Sequence, residues 1–207
     1  MDIQALNNPI PSEWSQYVTQ SPVSLEVIPD QLWSTALYTS ATTTQLTFFN
    51  TTGPDLSFSN MTQPGFLPNP QSFLIQAPRL YFRSVFRTDL TGGVGTPTSA
   101  YEDIIALLNT GRMVLTIGTK TYGPWRLWTM PAASFAKGVV GAAGAAAANT
   151  VSNYAQLDGP LWGMFPHLMI SPLQNFQVDM FWPAAVTLTG NLNIEVLFDG
   201  QRARAVQ

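Results

Sequence analysis

Along most of this chain β-branched, aromatic and other apolar residues come in short runs, alternating with polar residues inside each run and cut by proline and glycine between runs. That rhythm, punctuated by 16 Pro and 15 Gly, predicts an all-β protein. Strands are expected over 23–28, 31–38 and 44–49. A long surface loop should follow over 50–70, where Gly53-Pro54, Pro64-Gly65 and Pro68-Asn69-Pro70 remove ladder donors. The alternation is clearest over 72–87: Arg79, Tyr81, Arg83, Val85 and Arg87 fall on one strand face, and Leu80, Phe82, Ser84 and Phe86 on the other. A helix there would stack the three arginines at i,i+4 spacing, where like charges repel, so the strand reading also avoids an electrostatic penalty.

One segment breaks the period. Ser99, three residues before Glu102, reads as a capping box ahead of Ile104, Ile105, Leu107 and Leu108, with Gly111 as the stop. Glu102 and Asp103 would then lie in the first turn, facing the positive end of the helix dipole. Strands resume over 113–118 and 120–130, the second containing a Gly123-Pro124 turn between aromatic residues. In the Ala/Gly segment 132–149 the alanines favour helix while Gly138, Gly141 and Gly144 weaken it, which leaves both a loop and a marginal helix open.

The C-terminal third predicts strands over 154–157, 167–170, 174–182, 185–188, 192–198 and 202–206. Phe176, Val178 and Met180 alternate with Gln177, Asp179 and Phe181, and Ile194, Val196 and Phe198 alternate with Glu195, Leu197 and Asp199. Asp199-Gly200, between two strand candidates, predicts a type I′ hairpin. With no fixed-period repeat and no linker, the chain is expected to form a single domain over 1–207 with an extended N-terminal arm over about 1–22. Eight or more antiparallel strands, one short helix and long loops predict an antiparallel, jelly-roll-like β-sandwich.

Composition narrows the chemistry. With one histidine and no cysteine in 207 residues, thiol nucleophiles, disulfides and Cys-type metal sites are impossible, and any Ser-His-Asp arrangement would have to use His167. His167 follows Pro166 at the start of a strand, and no H-x-x-x-H or D-x-D-x-D-G spacing accompanies it, so no metal and no cofactor are expected. Gly92-Gly93-Val94-Gly95 leads into Thr-Pro instead of Lys and a helix, which makes it a flexible loop and not a phosphate cradle. Isolated Asp55, Asp158, Asp179 and Glu195 form no catalytic motif, and the expectation is that the protein is not an enzyme.

Only 10% of residues are charged, against roughly 25% in an average globular protein, so the polar surface must be built largely from Thr, Ser, Asn and Gln. Such a surface is cheap to desolvate, as extensive subunit contacts require. Seven Arg and two Lys with a net charge of −3 and no basic run disfavour binding to nucleic acid. The start, MDIQALNNPIPSEW, has neither the basic nor the apolar region of a secretory signal, so synthesis in the cytoplasm is expected, and the Ala/Gly segment is too weakly hydrophobic to span a bilayer. Candidate interface residues are the row Arg79, Arg83 and Arg87, which could meet a carboxylate, a phosphate or a neighbouring subunit, and the aromatics Trp125, Trp128, Trp162 and Trp182. Those tryptophans could anchor subunit contacts or stack on sugar rings, and each has core packing as its competing role.

Several C-terminal stretches carry a resemblance: Ile170-Ser171-Pro172-Leu173-Gln174-Asn175-Phe176, then Phe181-Trp182-Pro183, then Ile194-Glu195-Val196-Leu197-Phe198-Asp199-Gly200 and the closing Arg204-Ala205-Val206-Gln207. Lys120-Thr121-Tyr122 and Phe66-Leu67-Pro68 add to it. Over about the last two-thirds of its length the chain resembles structural proteins of bacterial viruses. The resemblance implies a jelly-roll coat subunit that self-assembles with copies of itself and other virion proteins, located in the virion. The competing reading is a carbohydrate- or receptor-binding module such as a virion spike, for which a sugar receptor would be the partner.

Overall fold

The structure is a computed structural model that describes residues 25–50, 58–84, 97–130, 138–140, 153–155 and 167–205. The expected N-terminal arm therefore lies outside the described residues. The chain is mostly β, with one helix among the described residues. Its strands are β1 (Leu25–Tyr38), β2 (Gln45–Phe48), β3 (Ser72–Ser84), β4 (Arg112–Ile117), β5 (Lys120–Arg126), β6 (Gly138–Val140), β7 (Asn153–Ala155), β8 (Leu168–Ile170), β9 (Phe176–Phe181) and β10 (Leu192–Ala205), and helix α1 spans Pro97–Thr110.

Two four-stranded sheets carry the architecture, one in the order β1-β10-β3-β8 and the other β2-β9-β4-β5, while β6 and β7 pair apart as a two-stranded ribbon. Every paired strand is antiparallel. With β6 and β7 set aside, the pairs β1·β10, β2·β9, β3·β8 and β4·β5 join first strand to last, second to second-last, and so on inward. The pairs β10·β3 and β9·β4 then close each sheet. Among the described strands, those early in the chain thus pair with those late in it to make two antiparallel sheets.

Alternation decides what lies between the layers. Leu32, Ile194, Val196 and Phe198 from one sheet and Met113, Leu115, Val178 and Met180 from the other are buried in a single cluster. Phe49 bridges the layers, stacking on Phe198 at 5.1 Å and meeting Phe176 at 5.4 Å. The predicted inward sets of β9 and β10 are correct, as is the placement of Leu80 and Phe82 opposite Arg79.

Several expectations are corrected. Asp199-Gly200 is no hairpin tip: β10 runs unbroken from Leu192 to Ala205 between β1 and β3. The local event is a bulge, in which the register steps from Asp199↔Ala77 to Gly200↔Ile75 and leaves Gln76 of β3 unpaired. The extra residue also switches the inward-facing parity of β3, so that Phe73 and Ile75 point into the core on one side of it and Leu80 on the other. Gly123-Pro124 is likewise a disruption inside β5, where the register shifts between Met113 and Leu115, and not a turn. The expected strands 23–28 and 31–38 are, over the described residues, one strand Leu25–Tyr38 that runs through Pro29 at the edge of its sheet. Helix α1 begins at Pro97, whose missing N–H is no loss in a first turn, so Ser99 lies inside the helix and Asp103 beyond its first turn. Asp103 accepts hydrogen bonds from the backbone N–H (3.0 Å) and hydroxyl of Thr189 and ties α1 to the loop before β10.

Residues 185–188 are loop, because side chains satisfy their backbone: Tyr38 Oη accepts from the Val186 N–H at 2.7 Å and Ser40 Oγ from the Leu188 N–H at 2.8 Å. Gly138–Val140 is a strand paired with Asn153–Ala155, neither the loop nor the helix that composition left open, and the rest of 132–149 lies outside the described residues.

Candidate functional site

The arginine row begins on the outward face of β3, beside Asp199 of β10. Arg79 forms an ion pair with Asp199, its Nη2 donating to Oδ1 at 2.6 Å, and Gln31 Nε2 on β1 donates to the same oxygen at 2.6 Å. The partner foreseen for this arginine across a subunit contact is thus supplied by its own sheet. Arg202 pairs with Asp30, and Arg204 with Glu26 at 2.9 Å. The backbone of Arg83 lies opposite Asn193, but its side chain and the whole of Arg87 fall outside the described residues.

The tryptophans divide by burial. Trp182 is core, 3% exposed, with its Nε1–H donating to the Leu107 carbonyl at 3.1 Å and its ring edge-on to Tyr38 at 4.9 Å. It is therefore no interface anchor. Trp125 is half-buried and packs on the same core. Trp128, in the short 3₁₀ turn Leu127–Thr129 after β5, is 55% exposed and remains a surface candidate, and Trp162 lies outside the described residues. Among the described residues Leu37, Phe58, Leu173 and Phe181 are the other large apolar side chains left exposed.

The sheet edges are blunted. Residues 58–60 cover the middle of β1: the Thr35 N–H donates to the Phe58 carbonyl at 2.7 Å, and the Asn60 side chain accepts from the Trp33 N–H at 2.9 Å and donates to the Gln31 carbonyl at 2.7 Å. At the other edges β2 has four residues, β8 has three, and β5 is interrupted by Pro124, which has no N–H to donate.

Where β8 of one sheet approaches the β4–β5 end of the other, a cleft of about 320 Å³ opens. Its polar lining is Thr119, Lys120, Tyr122, His167, Ser171 and Gln174, with Ile117, Leu168 and Met169 as the apolar part. The frame is tied together by local chemistry. Gly118 adopts φ +59° in the β4–β5 turn and its N–H donates to the Asn175 carbonyl at 2.7 Å. The Gln174 amide lies over it, its Nε2 3.0 Å from where a Cβ would stand, so a side chain at 118 would displace the amide. Gln174 Oε1 accepts from the Ser171 N–H at 3.0 Å, which fixes the loop 171–174 against the same turn. Sequence reasoning placed His167 at a strand end but missed this gathering, because Lys120, His167 and Gln174 come from separate segments with no shared spacing.

Among the described residues no three His, Cys, Asp or Glu side chains converge to hold a metal ion, and no helix is long and apolar enough to cross a membrane. Compared with family models, curated proteins and solved structures, the chain matches none.

Proposed function

We propose that the chain is a self-assembling structural protein of a bacterial virus, a coat subunit with a jelly-roll fold. The observation that carries this reading is the pairing set: eight described strands, early ones paired with late ones, in the sheets β1-β10-β3-β8 and β2-β9-β4-β5, an arrangement that fits the two-Greek-key order of a jelly roll. The resemblance of the C-terminal strands to bacterial-virus structural proteins adds the function to the fold.

Two surface properties support assembly through faces and loops and not through continued sheets. The described edges are covered in part, short or broken by proline, which limits the free ladder a copy could extend. Arg79, Arg202 and Arg204 of the first sheet are paired with Asp199, Asp30 and Glu26, so opposing copies would meet little unpaired charge at these positions. Burial of about 1,600 Å² per contact, repeated by symmetry, would stabilise a shell from individually weak contacts. Homo-oligomers and other virion proteins are the partners in this reading, and the virion is the location.

Sedimentation and electron micrographs of concentrated protein test it. Closed oligomers are expected, and they should persist as salt rises, because screening over about 8 Å at physiological ionic strength weakens exposed ion pairs and leaves apolar burial intact. A monomer at every concentration would refute the reading. The polar cleft favours a second reading, a receptor-binding virion module, and in that case the protein would bind a sugar without forming a shell.

A further inference from the structure

We propose that the cleft between β8 and the β4–β5 turn binds the carboxylate of an acidic sugar, with Lys120 as its charge partner. The site goes beyond assembly and does not depend on it.

The polar groups of this cleft are weighted towards donors. Lys120 brings three N–H donors, while Thr119, Tyr122 and Ser171 bring hydroxyls. Gln174 offers its NH₂ end, since its Oε1 already accepts from the Ser171 N–H at 3.0 Å. Among the described residues no Asp or Glu lines the cleft, although the chain has 12 acidic residues against 9 basic ones. Lys120 forms no ion pair among the described residues, whereas Arg79, Arg202 and Arg204 are each matched with a carboxylate. A lysine facing a concave lining with no carboxylate among the described residues has the chemistry to hold an anion.

Charge and shape narrow the anion. A phosphate, at about −1.5 to −2, is best met by several cations or a bidentate arginine, and the described lining of this cleft has one ammonium and no arginine. A carboxylate matches that single charge. The volume of about 320 Å³ lies at the small end of ligand pockets, enough for one ring. Tyr122, Leu168 and Met169 supply apolar surface for the C–H face of the ring, while Thr119, Ser171 and the Gln174 amide can meet its hydroxyls. The Gly118–Asn175 and Ser171–Gln174 hydrogen bonds fix these groups in advance, which lowers the ordering cost of binding.

His167 is the chain's single histidine, so its imidazole resonances report on the cleft without ambiguity. The experiment titrates the intact protein with sodium glucuronate, followed by those resonances, with glucose and inorganic phosphate as parallel arms. A saturable shift with glucuronate at millimolar concentration is expected, with weaker effects from glucose and phosphate. Lys120→Met should weaken glucuronate binding about tenfold or more, and Lys120→Arg should retain it. Lys120 is exposed, so both variants should keep the wild-type melting temperature. The proposal is overturned if glucuronate gives no shift at tens of millimolar, if glucose binds equally well, if phosphate binds as tightly, or if a folded Lys120→Met binds unchanged. Sedimentation of the same samples keeps this result separate from the assembly reading, since a shell-forming protein with an inert cleft would refute the site alone.

Discussion

Replacing Gly200 by alanine adds one methyl group where, of the described glycines, the backbone leaves least room for a Cβ. Gly200 lies in the middle of β10, opposite Ile75 of β3 and beside the bulge at Gln76. A Cβ there would stand far inside contact distance of the Leu74 carbonyl oxygen, 3.0 Å from the carbon of that carbonyl and 2.9 Å from Cε1 of Phe73. Two of the three obstacles are backbone, so no rotamer change relieves them. Either the β3–β10 ladder opens locally, giving up hydrogen bonds worth about 0.5–1.5 kcal/mol each, or the sheet shifts at an overpacking cost of about 1–3 kcal/mol. A loss of about 3 kcal/mol, or about 6–12 °C in Tm for a chain of this size, is the expected outcome by thermal and urea unfolding. Gly200→Asn sharpens the test. A type I′ turn accepts asparagine readily, whereas the packed strand should reject it at least as strongly as alanine. Alanine within about 0.5 kcal/mol of wild type, or asparagine clearly better than alanine, would show that Gly200 is not pressed against β3.

Trp182→Phe should cost about 1–3 kcal/mol in urea unfolding, because it removes the Nε1–H bond to the Leu107 carbonyl and leaves a void beside Tyr38; a change under about 0.5 kcal/mol would contradict the core role assigned to this ring. The phenol of Tyr38 is shifted above its ordinary value of 10.0, chiefly by burial and partly offset by its hydrogen bond to Val186. Because the unfolded chain releases this proton first, the stability Tyr38 contributes is complete below about pH 10 and is lost as pH rises towards the folded-state value. Tyr38→Phe should therefore lower Tm at neutral pH, by orphaning the Val186 N–H, while making the alkaline fall in Tm shallower than in wild type; an equally steep fall would assign that limb to other groups.

Periodicity carries local information well, and here it sufficed for most strands. The alternation of Phe176, Val178 and Met180, of Ile194, Val196 and Phe198, and of Leu80 with Phe82 against Arg79 determined which face of each strand is buried, because a pleated strand offers only two faces and water selects between them. The near-absence of imidazole and thiol, together with the neutral polar surface, likewise set the chemistry available before any folding. What depends on distant partners was not legible. Asp199-Gly200 has the residues of a turn, yet a glycine is also what two backbones at close approach require, and only the neighbouring Leu74 carbonyl decides between the two. Trp182 has the look of a surface aromatic beside Pro183 until α1 brings the Leu107 carbonyl to its indole nitrogen. The match of Arg79 with Asp199 spans 120 residues, and the cleft unites Lys120, His167 and Gln174 through the meeting of two sheets. Sequence determines which faces must be hidden; the pairing and packing of the two sheets decide which of the hidden and half-hidden groups meet, since that depends on register and layer geometry that no local pattern encodes.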